Sequence, residues 1–447
     1  MSHHYQVSKQ GALFNKEYLL PFILVTALFL FWGIPSNMND VLIKQFMKSF
    51  ELNRLRAGLI QSAYYIGYFL LAIPAGLLMR RFGYKAGLVT GLMLFSLGAL
   101  LFWPAAVIGK FGMFLFALFV IASGASFLET GANPFIATLG DPDSSERRLN
   151  FSQAFNPLGA ISGVGIGTVF ILSGIEHSPE KITAMKAEGI YDAYLHGETL
   201  RVIAPYVVLG SIIFLWGMFI LATRFPEPHP DDILARNNKG KVSHLFRYPH
   251  FFKGVLAQFC YVGAQVGTWS FFIQYIQDYT GEHEKLAGSL LTGTLVAFAV
   301  GRFSATWFMK YINPGRLMSI YGAINISLVL MAVLVPGWIG VWSIFLTSFF
   351  MSLMFPTIFA LGIKGLGENT KLGGSLMVMA IIGGAVFTPI MGVISDQTGS
   401  MALAMLVPLA CYVVVTWYAA WGSKIGILDE GRGIPAFTKV TAGKRDK

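Results

Sequence analysis

Long apolar stretches, each closed by a short polar or Gly/Pro-bearing connection, recur along the whole chain. Runs such as residues 111–128 are apolar on every helical face instead of alternating with period two, so they predict helices and not the strands of a closed barrel. Lipid offers the backbone no hydrogen-bond partner, and a helix satisfies its own. About 20 mainly apolar residues cross a bilayer. By that measure the pattern predicts twelve spans, near residues 18–46, 53–79, 84–107, 110–139, 148–174, 202–224, 250–278, 286–309, 317–335, 338–362, 372–396 and 400–422.

Composition agrees. Of 447 residues, 55% are apolar and 13% are charged, against roughly 25% charged in a soluble protein. The 49 glycines lack a three-residue period, and the two cysteines rule out a disulfide scaffold. Cys260 and Cys411 lie in different apolar runs without metal-ligand spacing, so both read as packing residues. A net charge of +10 suggests nucleic acid in a soluble chain. Here the basic residues sit in short loops beside apolar spans, so no nucleic-acid partner is expected. With both termini on one side, Lys and Arg divide 24 to 9 in favour of that side. This asymmetry predicts an even number of spans and cytoplasmic termini. Met1 to Asn15 is polar and the first apolar run is too long for a signal peptide, so span 1 is expected to remain.

The longest connection, 225–248, carries Pro226, Pro228 and Pro230 and divides the chain into halves 1–224 and 249–423, with a tail at 424–447. Asn133 to Gly140 ends span 4 and Phe355 to Gly362 ends span 10, and the two strings agree at four of eight positions. The expected fold is therefore an all-α integral membrane protein of twelve helices in two six-helix halves, the major facilitator architecture.

Charge inside a span needs a reason, because a central charge costs about 2.5–3.5 kcal/mol on insertion scales. Glu129 lies well inside span 4. Burial disfavours the charged form of a carboxyl, which suits Glu129 to exchanging a proton as its surroundings change. The alternative is a hydrogen-bonded acid that ties helices together. Asp40 follows Gly33 and Pro35, which predict a break in span 1 that lines a wet cavity; equally, Asp40 fits an outer loop. Asn37, Asn133, Gln153, Asn156 and Gln265 are amides in apolar spans, each offering the donors and acceptors that sugar hydroxyls need. Trp269, Tyr275 and Phe355 are candidates for the apolar face of a pyranose, although Trp and Tyr also populate interfacial belts. Gly159, Gly163, Gly165 and Gly167 of span 5, with Gly383 and Gly384 of span 11, predict close helix approach. No GxxxxGK[ST] string is present, which removes support for direct ATP-driven pumping. All eight histidines lie in tails, loops or span ends, which removes the usual ligands of an intramembrane haem or zinc.

Several longer strings carry a resemblance. Asn37-Met38-Asn39-Asp40, Gly58 to Tyr68, Leu128 to Phe135, Ala257 to Gln265 and Pro356 to Phe359 closely resemble the fucose permease family of bacterial inner membranes. The resemblance implies proton-coupled symport of a monosaccharide, with L-fucose the lead and glucose, galactose or another hexose the alternative. It implies no cofactor, the proton being the coupling ion, and a multi-pass monomer in the inner membrane. It also implies that Asp40 and Glu129 serve proton coupling and that Asn37, Gln153 and Asn156 lie near the sugar. Two positions depart from the pattern: Arg80 stands where the loop motif after span 2 usually has Asp, and Phe355 stands where the fucose transporters have Tyr. A sugar sensor without translocation is the rival class; the short tail leaves it no signalling domain. A membrane enzyme lacks a nucleophile–base string.

Overall fold

The computed structural model describes residues 18–52, 54–141, 144–173, 177–225 and 245–424, with two short pairs in the tail, Ile427–Leu428 antiparallel to Pro435–Ala436. His3, His4, His229, His244 and most of the predicted linker lie outside the described residues.

Among the described residues, ten helical stretches are long and apolar enough to cross a membrane. One of them, Ala63–Ile108, holds two spans. Its backbone turns at Gly83, whose φ of 86° is the left-handed conformation that favours glycine. Pro249–Ser270 with Phe272–Thr280 supplies the remaining span; Lys253, Gln258, Gln265 and Gln274 keep it out of the ten. The total is the expected twelve.

Span 1 corrects one expectation. Leu19–Ser49 is one continuous helix through Gly33 and Pro35, so Asp40 belongs to a helix and not to an outer loop. The Ser36 hydroxyl donates to the Trp32 carbonyl at 2.7 Å, and the Asn37 amide donates to the Gly33 carbonyl at 2.9 Å. These bonds occupy carbonyls around the proline, where the backbone ladder is weakened. The glycine serves packing: a Cβ on Gly33 would lie 2.6 Å from the Asn156 carbonyl of span 5.

Spans 1 and 5 pack closely because span 5 has lost its side chains there. A Cβ on Gly159 or Gly163 would collide with the carbonyls of Leu30 and Ile34, and one on Gly167 with Val41. Gly165 has open space around its Cβ position and takes no part. Gly383 and Gly384 do the same work on span 11, against Phe259 and Val266 of span 7. Cys260 of span 7 and Cys411 of span 12, remote in sequence, bring their thiols together in the core of the second half.

Two of the broken spans meet at the site. Span 5 is Ser145–Gln153 followed by Asn156–Ile166, and span 10 is Trp338–Met351 followed by Met354–Ile363. Each break precedes a proline, Pro157 and Pro356, which has no N–H for the carbonyl four residues earlier. The acceptors left over are the carbonyls of Gln153 and Ser352.

Candidate functional site

Glu129 is 7% exposed in the middle of Phe111–Thr138, the helix of span 4. Its carboxyl meets the Tyr68 hydroxyl of span 2 and the Asn133 side chain one turn along its own helix. Tyr68 in turn packs on Tyr64, ring centroids 5.3 Å apart, and the Tyr64 hydroxyl shares a 2.6 Å hydrogen bond with Ser36 of span 1. The backbone of span 2 is pinned beside the acid by Ser126, whose hydroxyl donates to the Tyr68 carbonyl at 2.9 Å.

On its other side the acid leads toward span 5. The Gln153 amide donates to Asn133 Oδ1 at 2.7 Å, and Gln153 also receives the guanidinium of Arg302. Arg302 is 3% exposed inside span 8, Glu284–Phe308. It lies in the bundle, at the seam of the two halves. Its terminal nitrogen donates to the Gln153 carbonyl at 3.0 Å and approaches Gln153 Oε1 at 3.5 Å, while its Nε donates to the Ser352 carbonyl at 2.7 Å. The guanidinium also lies over the Phe298 ring, 4.5 Å from the centroid. A continuous polar chain thus runs from Ser36 through Tyr64, Tyr68, Glu129, Asn133 and Gln153 to Arg302 and Ser352.

Some polar groups of this region are buried and unspent. Among the described residues, the amide nitrogen of Asn133, the Thr130 hydroxyl, both side-chain polar atoms of Gln258 and the Tyr261 hydroxyl have no hydrogen-bond partner. Buried polar groups are nearly always partnered in a native protein, so such a set marks where a polar ligand or water is received. Tyr261 lies beside the Arg302 guanidinium and edge-on to Phe355, centroids 6.2 Å apart.

The remaining expected residues fall into two groups. Asn37 and Asn156 flank Gly33, where the Asn156 amide donates to the Phe29 carbonyl at 3.2 Å. Span 7 presents Gln258, Tyr261 and Gln265 at helical spacing on one face. One turn further on, Trp269 donates to the Ser348 hydroxyl at 3.1 Å and meets the same Phe298 that Arg302 covers. Phe355 is 9% exposed opposite Tyr261. Tyr275 is not with them: it is fully buried and its hydroxyl donates to the Ala332 carbonyl at 2.7 Å, a core tyrosine with its bond already made. Asp40 lies on span 1 three residues beyond Asn37, and its side chain is outside the described residues. Sequence reasoning missed Arg302, and passed over Tyr64 and Tyr68 although both stand in a quoted string. The available signal for Arg302 was a single charge between apolar residues in Val300-Gly301-Arg302-Phe303.

The halves meet along one end of this site. Glu146, Asn150 and Gln153 recur at helical spacing on span 5. Glu146 is 3% exposed and pairs with Lys364 at 2.9 Å, and the Asn150 amide donates to the Thr357 hydroxyl at 3.0 Å. With Gln153 on Arg302, all three rungs cross from the first half to the second. Around them, Gly76 of span 2 admits Ser375 of span 11, and Gly374 lies against Pro134 of span 4. The bundle is therefore closed at the end that carries Glu146 and Lys364.

A twelve-helix bundle of two halves joined around a buried acid is the build of a facilitator, and residues 21–371 match the Major Facilitator Superfamily. The chain belongs to that superfamily. It is 42% identical over 424 residues to the L-fucose-proton symporter of Escherichia coli (strain K12), covering 94% of this chain and 97% of the relative. It is 35% identical over 412 residues to a glucose/galactose transporter of Brucella abortus, covering 92% and 96% of the two chains. Among solved structures, it matches the transporter FucP in the outward conformation with a TM-score of 0.83 and 42% identity, over 91% of this chain and 99% of that one.

Proposed function

We propose that this protein carries a monosaccharide together with a proton by alternating access, with L-fucose the lead substrate. The observation that carries the reading is the place of Glu129: a carboxyl buried mid-span, beside the Tyr68 hydroxyl and the amide that Gln153 holds from the next helix. Glu129 serves as the proton-exchanging group, with Asp40 its partner acid on span 1. Asn37, Asn133, Gln153, Asn156 and Gln265 supply hydrogen bonds to sugar hydroxyls, and Trp269 and Phe355 supply apolar faces. The similarity to an L-fucose-proton symporter over nearly the whole chain supports this assignment.

An ionised carboxyl enclosed in a dry bundle is unfavourable, whereas a protonated one donates a hydrogen bond. The loaded carrier therefore turns with both proton and sugar on board. One charge crossing 100 mV is worth about 2.3 kcal/mol. One unit of pH difference adds roughly 1.4 kcal/mol. Together they sustain a sugar gradient of several hundredfold at one proton per sugar.

The closed end, which carries the favoured share of Lys and Arg in its connections, is the cytoplasmic end, so the captured state faces outward. The termini are then cytoplasmic, the halves are 1–224 and 249–423 about the linker 225–248, and residues 424–447 form a cytoplasmic tail. The site is complete within one chain, which supports a monomer in the bacterial inner membrane.

The second reading keeps the mechanism and changes the sugar. Phe355 offers no hydroxyl beside Tyr261, and a relative named for glucose and galactose is 35% identical. Uptake of a panel of labelled sugars into reconstituted vesicles under an imposed pH gradient decides. Uphill accumulation of L-fucose above the hexoses supports the lead, preference for glucose or galactose supports the second reading, and binding without counterflow contradicts transport.

A further inference from the structure

A guanidinium in the middle of an apolar span is expensive unless its N–H groups find acceptors, and helical backbone normally has none to spare. Arg302 finds two. Pro157 leaves the carbonyl of Gln153 without its helical donor, and Pro356 leaves that of Ser352 in the same position. Those are the two backbone carbonyls that Arg302 takes, at 3.0 Å and 2.7 Å. One belongs to span 5 in the first half, the other to span 10 in the second.

We propose that Arg302 is the latch that holds the two halves together beneath the sugar site, through the carbonyls that Pro157 and Pro356 set free. The inference deepens the transport reading above and rests on it for its consequence. Arg302 travels with Ser352, its partner in the same half. When the cytoplasmic end opens, Gln153 leaves with span 5 and strips the terminal nitrogen of its acceptor. The cost of that lost charge-assisted hydrogen bond holds the resting carrier closed. Gln153 is also the residue that fixes Asn133 beside Glu129, so release of the latch and rearrangement around the acid are one event. The groups that face this chain are Tyr64 and Tyr68 of span 2, Glu129 of span 4 and Tyr261 of span 7. No carboxylate bonds Arg302 directly among its described contacts. Arg302 is thus a positioning residue: it acts on the sugar and the proton through Gln153.

Spin labels at Phe82→Cys in the first half and at Phe246→Cys, at the end of the linker where it stacks on Phe252 of span 7, are exposed positions at the closed end and read the opening directly. The background carries Cys260→Ser and Cys411→Ser, and the protein is full length in lipid nanodiscs without sugar. Arg302→Gln is expected to raise the long-distance population about tenfold over the unsubstituted chain, as loss of charge-assisted hydrogen bonds implies. Arg302→Lys, which cannot span both carbonyls, shifts it less. Pro157→Ala returns a helical N–H to Gln153 and shifts the population in the same direction while leaving Arg302 in place. A role confined to packing moves thermal stability and not this distribution. Unchanged distances in a monodisperse Arg302→Gln protein overturn the latch. If that variant does not fold, unchanged distances in Pro157→Ala overturn it. Failure of the transport reading appears separately, as absence of sugar counterflow by the unsubstituted chain, because the distance comparison uses no sugar.

Discussion

The Gln153 amide of span 5 donates to Asn133 Oδ1 of span 4 at 2.7 Å, and this bond sets what Asn133 has left to offer. With its oxygen occupied, Asn133 keeps a buried amide nitrogen with no hydrogen-bond partner among the described residues, one helical turn from Glu129. A donor fixed in that way beside a proton-exchanging acid suits a sugar hydroxyl.

Truncation of either member removes that alignment. Asn133→Ala and Gln153→Ala are expected to weaken sugar binding by about ten- to a hundredfold, in line with one or two buried hydrogen bonds. Equilibrium titration of purified protein with labelled sugar checks this, and near-native affinity in both variants removes the pair from recognition.

Asp40 is separable from Glu129 by what is lost. If Asp40 couples, Asp40→Asn keeps equilibrium exchange of sugar and loses net uptake driven by a pH gradient. Loss of binding assigns it to recognition. Its helical setting predicts that one of these losses is seen; unimpaired uptake returns it to the role of a bystander.

The spans were legible because lipid imposes one rule on all of them, a run long and apolar enough to cross. Glu129 was legible for the complementary reason, since a charge in such a run stands out. Gly33-Ile34-Pro35 misled because the composition of a break and that of a close contact are the same: whether the helix stops depends on whether Ser36 and Asn37 turn back onto its carbonyls. Arg302 carried the same signal as Glu129, but its role was illegible because it lies in Gln153, 149 residues away, and in prolines that free acceptors only where span 5 and span 10 converge. Cys260 and Cys411 show the same limit.

Glycines of span 5 divide by face. Gly163→Val places atoms against the Ile34 carbonyl, and the overpacking is expected to cost about 1–3 kcal/mol, seen as a lower melting temperature and lost uptake. Gly165→Ala, in open space, leaves both unchanged or gains a few tenths of a kcal/mol from helix propensity. Equal losses in both contradict the packing account.

Lys364→Ala leaves the carboxyl of Glu146, 3% exposed, without its cation. An uncompensated buried charge costs several kcal/mol when one partner of a buried pair is removed, less here because Lys364 is itself 33% exposed. The closed end is expected to open more often, measured as faster labelling of a cysteine introduced at Ser375, buried where span 11 meets Gly76, and Glu146→Gln in the same chain is expected to restore part of the closure. Unaltered labelling places this rung outside the gate.

The most direct test is sugar uptake into vesicles by the unsubstituted protein and by Glu129→Gln, with and without an imposed pH gradient. The account predicts uphill, gradient-dependent accumulation by the first, and by the second only downhill flux and counterflow, indifferent to the gradient. Undiminished uphill uptake by Glu129→Gln contradicts it.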